Sequence, residues 1–197
     1  MSRALGLAST SKCVRSADWT VWAVSLLTPL ILVGAASAQG AATQQTCVAE
    51  QSSLQVTRFR DNGDGSVTDV DSKLMWMRCS AGQSWVNAQC TGQVTAFNWP
   101  DAVREANQIN RNGDAFFNDW RLPSLRDLAT ITDRGCENPR TNLILFPGTP
   151  SSVFWTSTLR PGGKPEDLAF ALSFGAEGVL VARKDERFYV RFVRNAM

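Results

Sequence analysis

The apolar residues follow three different patterns along the chain, and each predicts a different kind of element. The first is an unbroken run, VWAVSLLTPLILVGAA, from Val21 to Ala36. Arg3, Lys12 and Arg15 precede it, Pro29 interrupts it, and Ala36-Ser37-Ala38 follows it. A basic leader, an apolar stretch and small residues at a cleavage site make a secretory signal peptide over residues 1–38, not a membrane span. Polar sequence follows at once, so no stable membrane insertion is expected after cleavage. Residues 39–57 are small and polar and predict a flexible lead-in, held by Cys47. The folded domain is expected over residues 58–194.

The second pattern has helical spacing. In WPDAVREANQIN, residues Trp99, Ala102, Val103, Ala106 and Ile109 recur on one face of a helix from Trp99 to Asn110. Asn98 is placed to cap it, Pro100 suits its first turn, Asp101 complements its dipole, and Asn112-Gly113 ends it. A second helix is predicted from Ser124. Asp127 stands three residues on, as in a capping box, Leu128 and Ile131 face inward, and Gly135 stops it.

The third pattern is alternation or short apolar bursts, and it predicts strands. Phe59 and Val67 flank Asn62-Gly63-Asp64-Gly65, a strong hairpin signal, and Leu74-Met75-Trp76 is a further burst. Late in the chain, FWTST reads as one strand, and LAFALSF and VLVAR form a hairpin across Gly175–Gly178. In FYVRFVR, Val190 and Phe192 are expected to alternate against Tyr189, Arg191 and Val193. Helices early and strands late indicate an α+β domain rather than a parallel α/β one.

Charge and cysteine content narrow the chemistry. The chain has 20 Lys and Arg, 18 Asp and Glu, and no histidine. Cleavage removes three basic residues and Asp18, which leaves equal numbers of each sign. A neutral chain is a poor general binder of nucleic acid, so no nucleic-acid partner is expected. Without histidine, every catalytic plan built on an imidazole base is excluded, as is the commonest zinc and copper ligand. Of five cysteines, Cys13 lies in the signal. The other four allow three pairings. The favoured one is Cys79–Cys90, which closes a short loop, with Cys47–Cys136 as the second bond. Such bonds belong to an oxidising compartment. No Cys-x-x-Cys pair supports zinc.

Six blocks occur in the order found in a known family: RFRDNGDGSVTD, LMWMRCSAGQSW, WPDAVREANQIN, DWRLPSLRDLATI, FWTST and YVRFVR. Together they resemble the Lcl C-terminal domain family, named for the C-terminal domain of a bacterial collagen-like adhesin. The block WRLPSLRDL also resembles a segment of formylglycine-generating enzymes. The resemblance implies a C-type-lectin-like fold with two helices, a small mixed and mostly antiparallel sheet, and long loops on one side. It also implies a bacterial protein that is secreted, periplasmic or at the cell surface, with a role in adhesion. There are departures. Ser72-Lys73 stands where the family has Thr-Gly, the chain has a single tyrosine, Tyr189, and no Gly-x-y repeat is present.

Four groups of residues could carry function. DNGDGSVTD fails as an EF-type calcium loop, because placing Gly65 at position six puts Arg60 at position one. A different Ca2+ site using Asp61, Asp64 and Asp69 is kept as the candidate metal site beside the simpler reading, a hairpin tip. Trp76, Trp99, Trp120 and Trp155 sit among apolar neighbours and are expected in the core. Trp85, inside the Cys79–Cys90 loop, is the aromatic residue placed to meet a sugar. Arg183, Lys184 and Arg187, with Arg191 and Arg194 following, form a basic cluster suited to an anionic polysaccharide. Asp119, Asp127, Asp133 and Glu137 are the carboxylates from which an acid–base pair could be drawn. Nothing in their spacing requires one, and the reactive cysteines of the formylglycine-generating enzymes have no counterpart after Cys136. The expected function is therefore a non-catalytic binding module rather than an enzyme, and the family resemblance implies surface glycan, including an anionic polysaccharide, as its ligand. The alternative partner is another exported protein, bound by a structural or interaction domain without a sugar site.

Overall fold

The structure, a computed structural model, describes residues 44–48, 55–112, 117–161 and 167–196. The predicted signal peptide and most of the lead-in lie outside the described residues. In chain order the elements are β1 (Thr46–Cys47), β2 (Phe59–Asp61), β3 (Ser66–Asp69), β4 (Leu74–Met77), β5 (Ser84–Val86), β6 (Gln89–Thr91), α1 (Trp99–Asn112), α2 (Leu125–Ala129), β7 (Cys136–Glu137), β8 (Val153–Leu159), β9 (Leu168–Ser173), β10 (Val179–Arg183) and β11 (Val193–Asn195). The fold is α+β, as the order of patterns predicts.

Two sheets carry the domain. One has the strand order β11-β4-β3-β2 and the other β10-β9-β8. All their strand pairs are antiparallel. The hairpin tip at Asn62–Gly65 turns where predicted, with Gly63 and Gly65 both at positive φ. Register then sorts the side chains of the first sheet. Val67, Trp76 and Val193 stand side by side across three strands and are buried on one face with Leu128, Ile131, Phe146 and Phe154. On the opposite face, Thr68, Met75 and Arg194 line up, and Met75 packs with Ala102, Ala106, Trp120, Trp155 and Phe192. Pleat alone thus divides the core into two halves.

The two helices start as their sequences dictate. Asn98 accepts the Asp101 N–H at 2.9 Å and caps α1. Ser124 and Asp127 exchange side-chain bonds with each other's backbone N–H at 3.1 and 2.9 Å, a complete capping box. The end of α2 differs from expectation. It stops at Ala129, well before Gly135. Thr130 sends both its N–H and its hydroxyl to the Asp127 carbonyl. Ile131 and Thr132 also bond three residues back, so the β-branched run tightens into a turn.

The C-terminal strand differs more. Regular pairing is confined to Val193–Asn195, and Val190 through Arg194 are all buried. The expected alternation fails because Arg191 is not a surface residue. Its guanidinium is fully buried and donates to the Met77 carbonyl at 3.0 Å, the Ser80 hydroxyl at 3.1 Å, the Thr149 hydroxyl at 2.5 Å and the Arg78 carbonyl. Burial pulls its pKa down to about 9, so it still carries its charge at neutral pH. Arg194 is buried too, with Nε 2.5 Å from Asp119 and the guanidinium 3.9 Å from the Phe117 ring centre.

Both favoured disulfides are present, Cys47–Cys136 and Cys79–Cys90. The first joins β1 to β7 and fixes part of the expected lead-in, where Gln45 also donates to the Pro139 and Thr141 carbonyls. Closing a loop of 89 residues stabilises the fold by on the order of 4 kcal/mol in the chain-entropy account.

Candidate functional site

The Cys79–Cys90 loop is built to hold one side chain. Strands β5 and β6 pair through Trp85 and Cys90, and Asn87 and Ala88 both take positive φ in the two-residue turn between them. The disulfide ties this hairpin back to the end of β4. Trp85 then meets the β2–β3 turn. A Cβ at Gly65 would lie 2.7 Å from Trp85 Cγ, so only glycine fits there, and Gly65 also has φ +88°. The Arg78 guanidinium lies 4.4 Å from the Trp85 ring centre. Arg78 is itself fixed by Asp61 at 2.6 Å, by the Leu145 carbonyl at 3.0 Å and by the Ile144 carbonyl at 2.7 Å. Trp85 is half-buried between Gly65 and Arg78.

Beside Trp85 opens a cleft of about 560 Å3, within the size range of small-molecule sites, about 300–1,000 Å3. Phe117 and Trp120 line it with Trp85, and Asp64, Gln83 and Glu105 supply polar groups. The far wall comes from α1. Glu105 and Ile109 share a face at i,i+4, and Asn110 clamps Trp120 to the helix by bonding both its N–H and its carbonyl at 2.9 and 2.8 Å. The Trp120 ring packs edge-on to Phe117 at 6.3 Å. Its indole Nε1 is buried and has no hydrogen-bond partner. Glu105 has no partner among the described residues either. The formal charges on the cleft are acidic, Asp64 and Glu105, with no Lys or Arg among the lining residues.

The profile of the Lcl C-terminal domain family matches residues 65–194. The chain belongs to this family. No curated protein matches it. The Lcl C-terminal domain match begins inside the β2–β3 turn, yet it contains the whole cleft wall except Asp64. Strand β2, just outside the match, is the edge of the four-stranded sheet. The two disulfides are compatible with an exported protein. No helix among the described residues is long and apolar enough to cross a membrane.

The fold separates the remaining candidates. Arg183 and Lys184 lie at the N-terminal end of α1, around a pocket of about 300 Å3 shared with Asn98, Pro100, Asp167 and Asp185. At 1.5 Å per residue, the six residues from Trp99 to Glu105 put that end roughly 9 Å along the helix from the nearest α1 residue of the cleft. The charges there balance. Arg183 forms two bonds with Asp185 at 3.1 and 3.0 Å, and these raise its pKa and lower that of Asp185. The Lys184 ammonium sits 4.4 Å from the Trp99 ring centre, and Arg187 donates to the Ala96 carbonyl. Arg191 and Arg194, buried as described, do not belong to this surface. The physical reason is hydrogen-bond demand for Arg191, whose donors meet the Met77 and Arg78 carbonyls, and an ion pair with Asp119 over the Phe117 ring for Arg194.

The three aspartates of the hairpin also part company. Asp61 accepts from Gly63 and Arg78. Asp64 accepts from the backbone and hydroxyl of Ser66. Asp69 is fully buried and accepts from Arg58 at 2.8 Å and Ser72 at 2.6 Å. Among the described residues no group of three or more His, Cys, Asp or Glu could share a metal ion. The other carboxylates each have work elsewhere. Asp119 pairs with Arg194, Asp127 with Arg121 and its cap, Asp133 with the Gly135 N–H, and Glu137 with Arg140.

The sequence singles out Trp85 as an aromatic candidate, and the structure places it on the cleft beside Phe117, Trp120 and Glu105, which the sequence does not single out for a site. Trp120 reads as core because its neighbours are apolar, and it is indeed 96% buried in the sense that only 4% of it is exposed. Glu105 carried a usable signal: it is the charged residue three after Ala102 and four before Ile109, at the border of the apolar stripe.

Proposed function

We propose that this Lcl C-terminal domain is an exported, non-catalytic module that binds surface glycan in the cleft beside Trp85, in an adhesive role at the periphery of a bacterial cell. The observation that carries the reading is a cleft lined by three aromatic side chains, Trp85, Phe117 and Trp120, together with the carboxylates of Asp64 and Glu105 and the amide of Gln83. Aromatic ring faces cover the C–H faces of a sugar, and the polar groups pair with its hydroxyls. The rigid seating of Trp85 by Gly65, Arg78 and the disulfide supports it further, since a preordered side chain loses little freedom on binding. The acidic lining favours a neutral sugar in this cleft over an anionic one.

The test is a glycan array with the intact chain and with Trp85→Ala, run with and without Ca2+. Binding to one sugar class that Trp85→Ala abolishes, with the disulfides and unfolding transition retained, is the expected outcome. A blank array from folded protein would sink the glycan reading. A second reading, an interaction domain for another exported protein, has its own support. Strand β10 is the edge of its sheet and exposes Val179 and Val181. A blank array together with loss of a partner on Val181→Lys would favour it.

A further inference from the structure

The edges of the two main sheets are not alike. Along β8, the Trp155 N–H donates to the Tyr189 carbonyl and the Tyr189 N–H to that of Val153. Along β11, Val193 and Arg121 exchange both backbone bonds. Strand β2 exposes Arg60 and Asp61, and charged side chains of that kind keep a sheet edge from pairing. Strand β10 has neither protection at Val179 and Val181, whose side chains are 54% and 45% exposed. The register shows which of its backbone groups are free. The Ser173 N–H donates to the Gly178 carbonyl and the Lys184 N–H to the Asp167 carbonyl, so the even-numbered residues of β10 face β9. The N–H and C=O of Val179, Val181 and Arg183 therefore point off the sheet. Glu186 Oε1 takes the Arg183 N–H at 2.8 Å. Val179 and Val181 have no such cap among the described residues.

This edge is complementary to itself in one register. A second β10 laid antiparallel with Val181 opposite its own copy would need the Arg183 N–H that Glu186 holds, and would set Glu177 against Asp185 of the other copy. With Val179 opposite its own copy, Val181 would face a carboxylate, Glu177. Setting Val179 opposite Val181 avoids both faults. The valines then pair side by side on one face, and Arg183 of each copy meets the exposed Glu177 of the other. Glu177 commits only one oxygen, Oε2, to the Ser173 hydroxyl. Arg183 gives up at most an exposed pair with Asp185, which is worth little. We infer that two copies of this chain pair antiparallel through β10, with Val179 of each opposite Val181 of the other and Glu177 opposite Arg183 at both ends. The contact is two-fold, each copy using the same patch. Its area is below the roughly 1,200 Å2 of stable complexes, so the dimer is weak and forms at about 100 μM and above. No β10 residue lines the cleft, so pairing and glycan binding stand or fall separately.

The experiment follows the association of the exported chain by sedimentation velocity from about 10 μM to about 1 mM, a range that brackets weak complexes. Two charge reversals, Glu177→Arg and Arg183→Glu, are measured alone and as an equimolar mixture. The unaltered chain is expected to pass from monomer to dimer. Each variant alone sets like charges opposite each other at both ends, and should weaken dimerisation at least about tenfold. The mixture restores an opposite pair at both ends and should dimerise as the unaltered chain does. Unchanged unfolding midpoints show that the variants are folded. If either is not, amide exchange in the unaltered chain decides: the Val179 and Val181 N–H should exchange more slowly as concentration rises, and exchange independent of concentration overturns the inference. A chain still monomeric at the highest concentration also overturns it, and leaves the edge to a strand from a different protein. Association that neither variant weakens, or that the mixture does not restore, overturns it as well, because the copies then meet elsewhere or in another register. The glycan array tests the cleft independently of all these outcomes.

Discussion

Arg191 and Arg194 stand a few residues after Arg183 and Arg187, yet the two pairs live in different solvents. Arg183 holds Asp185 at the surface, with both side chains about 70% exposed, and Arg187 reaches one carbonyl from an exposed position. Arg191 is wholly buried with no carboxylate beside it, and its donors converge on carbonyls and hydroxyls from Met77 to Ser80 and from Thr149. Its guanidinium also lies 4.8 Å from the Phe146 ring centre. The difference shows what a basic residue can be for. Outside, it is a solvated charge that a neighbour neutralises. Inside, it is the hydrogen-bond donor set that the chain leaving β4 requires where strand pairing ends. The end of β4 at Met77 and the loop that follows it, through Cys79, Ser80 and Ala81, form one side of the cleft.

The sharpest break in that comparison is Arg191→Met. It removes the guanidinium donors from the Met77 and Arg78 carbonyls and the Ser80 hydroxyl, while the Thr149 hydroxyl keeps its bond to the Phe146 carbonyl; the cost should be about 3 kcal/mol, since each buried orphan costs roughly 1–3 kcal/mol. Urea unfolding measures it, and a midpoint shifted by no more than that of a surface variant would refute the donor role. Arg191→Lys should fall between, because an ammonium has three donors and no planar fork. Arg194→Ala comes next. It removes the Asp119 contact and the stacking on Phe117, for a loss of about 1–2 kcal/mol. Because Phe117 lines the cleft, the variant should also weaken ligand binding, which separates it from a purely structural change.

Much of this fold could be read locally. The hairpin tip, the Asn98 cap of α1 and the Ser124–Asp127 box each depend on residues within four positions of one another, and each formed where its residues predicted. The burial of Arg191 could not be read this way. Its acceptors are 42 to 114 residues distant, and its apolar neighbours Val190 and Phe192, where Arg187 has Glu186 beside it, do not reveal which groups it would bond. The cleft was half legible. Trp85 stood out because a short disulfide loop has little core to hide in. Trp120 and Glu105 did not, because the Asn110 clamp that brings them to one wall is a tertiary contact. The length of α2 was misjudged because Gly135 is a stronger stop signal than the β-branched run that in fact ends the helix.

Arg121 is the intermediate case, half-exposed and paired with Asp127 at 2.8 Å. Burial raises the Asp127 pKa, but hydrogen bonds from Arg121 and from Ser124 outweigh it, and the net shift is downward from the ordinary 3.8. The sign follows. The folded state holds this proton less tightly than the unfolded one, so the stabilisation is complete above the ordinary carboxylate range and is lost as pH falls through the lowered folded value. Asp127→Asn should cost about 1 kcal/mol at neutral pH, the worth of a helix cap. Its unfolding midpoint should converge on that of the unaltered chain as pH falls below the carboxylate range. A difference that stays constant down to low pH would mean that the charge of Asp127 contributes nothing.

The smallest effect on stability should come from the exposed pair. Arg183→Glu with Arg187→Glu disrupts a surface ion pair and one backbone contact, and should change stability by no more than about 0.5 kcal/mol. Its value lies in binding. Asp167 and Asp185 already share the pocket with Arg183 and Lys184, so little positive field remains at the end of α1. If the cleft is the site, the double variant keeps its oligosaccharide affinity and its elution from heparin shifts only slightly. A large loss of heparin retention, with cleft binding intact, would show that this surface takes up polyanions despite its local neutrality. That result would turn the contrast around: the exposed arginines would then bind ligand while the buried ones build the fold.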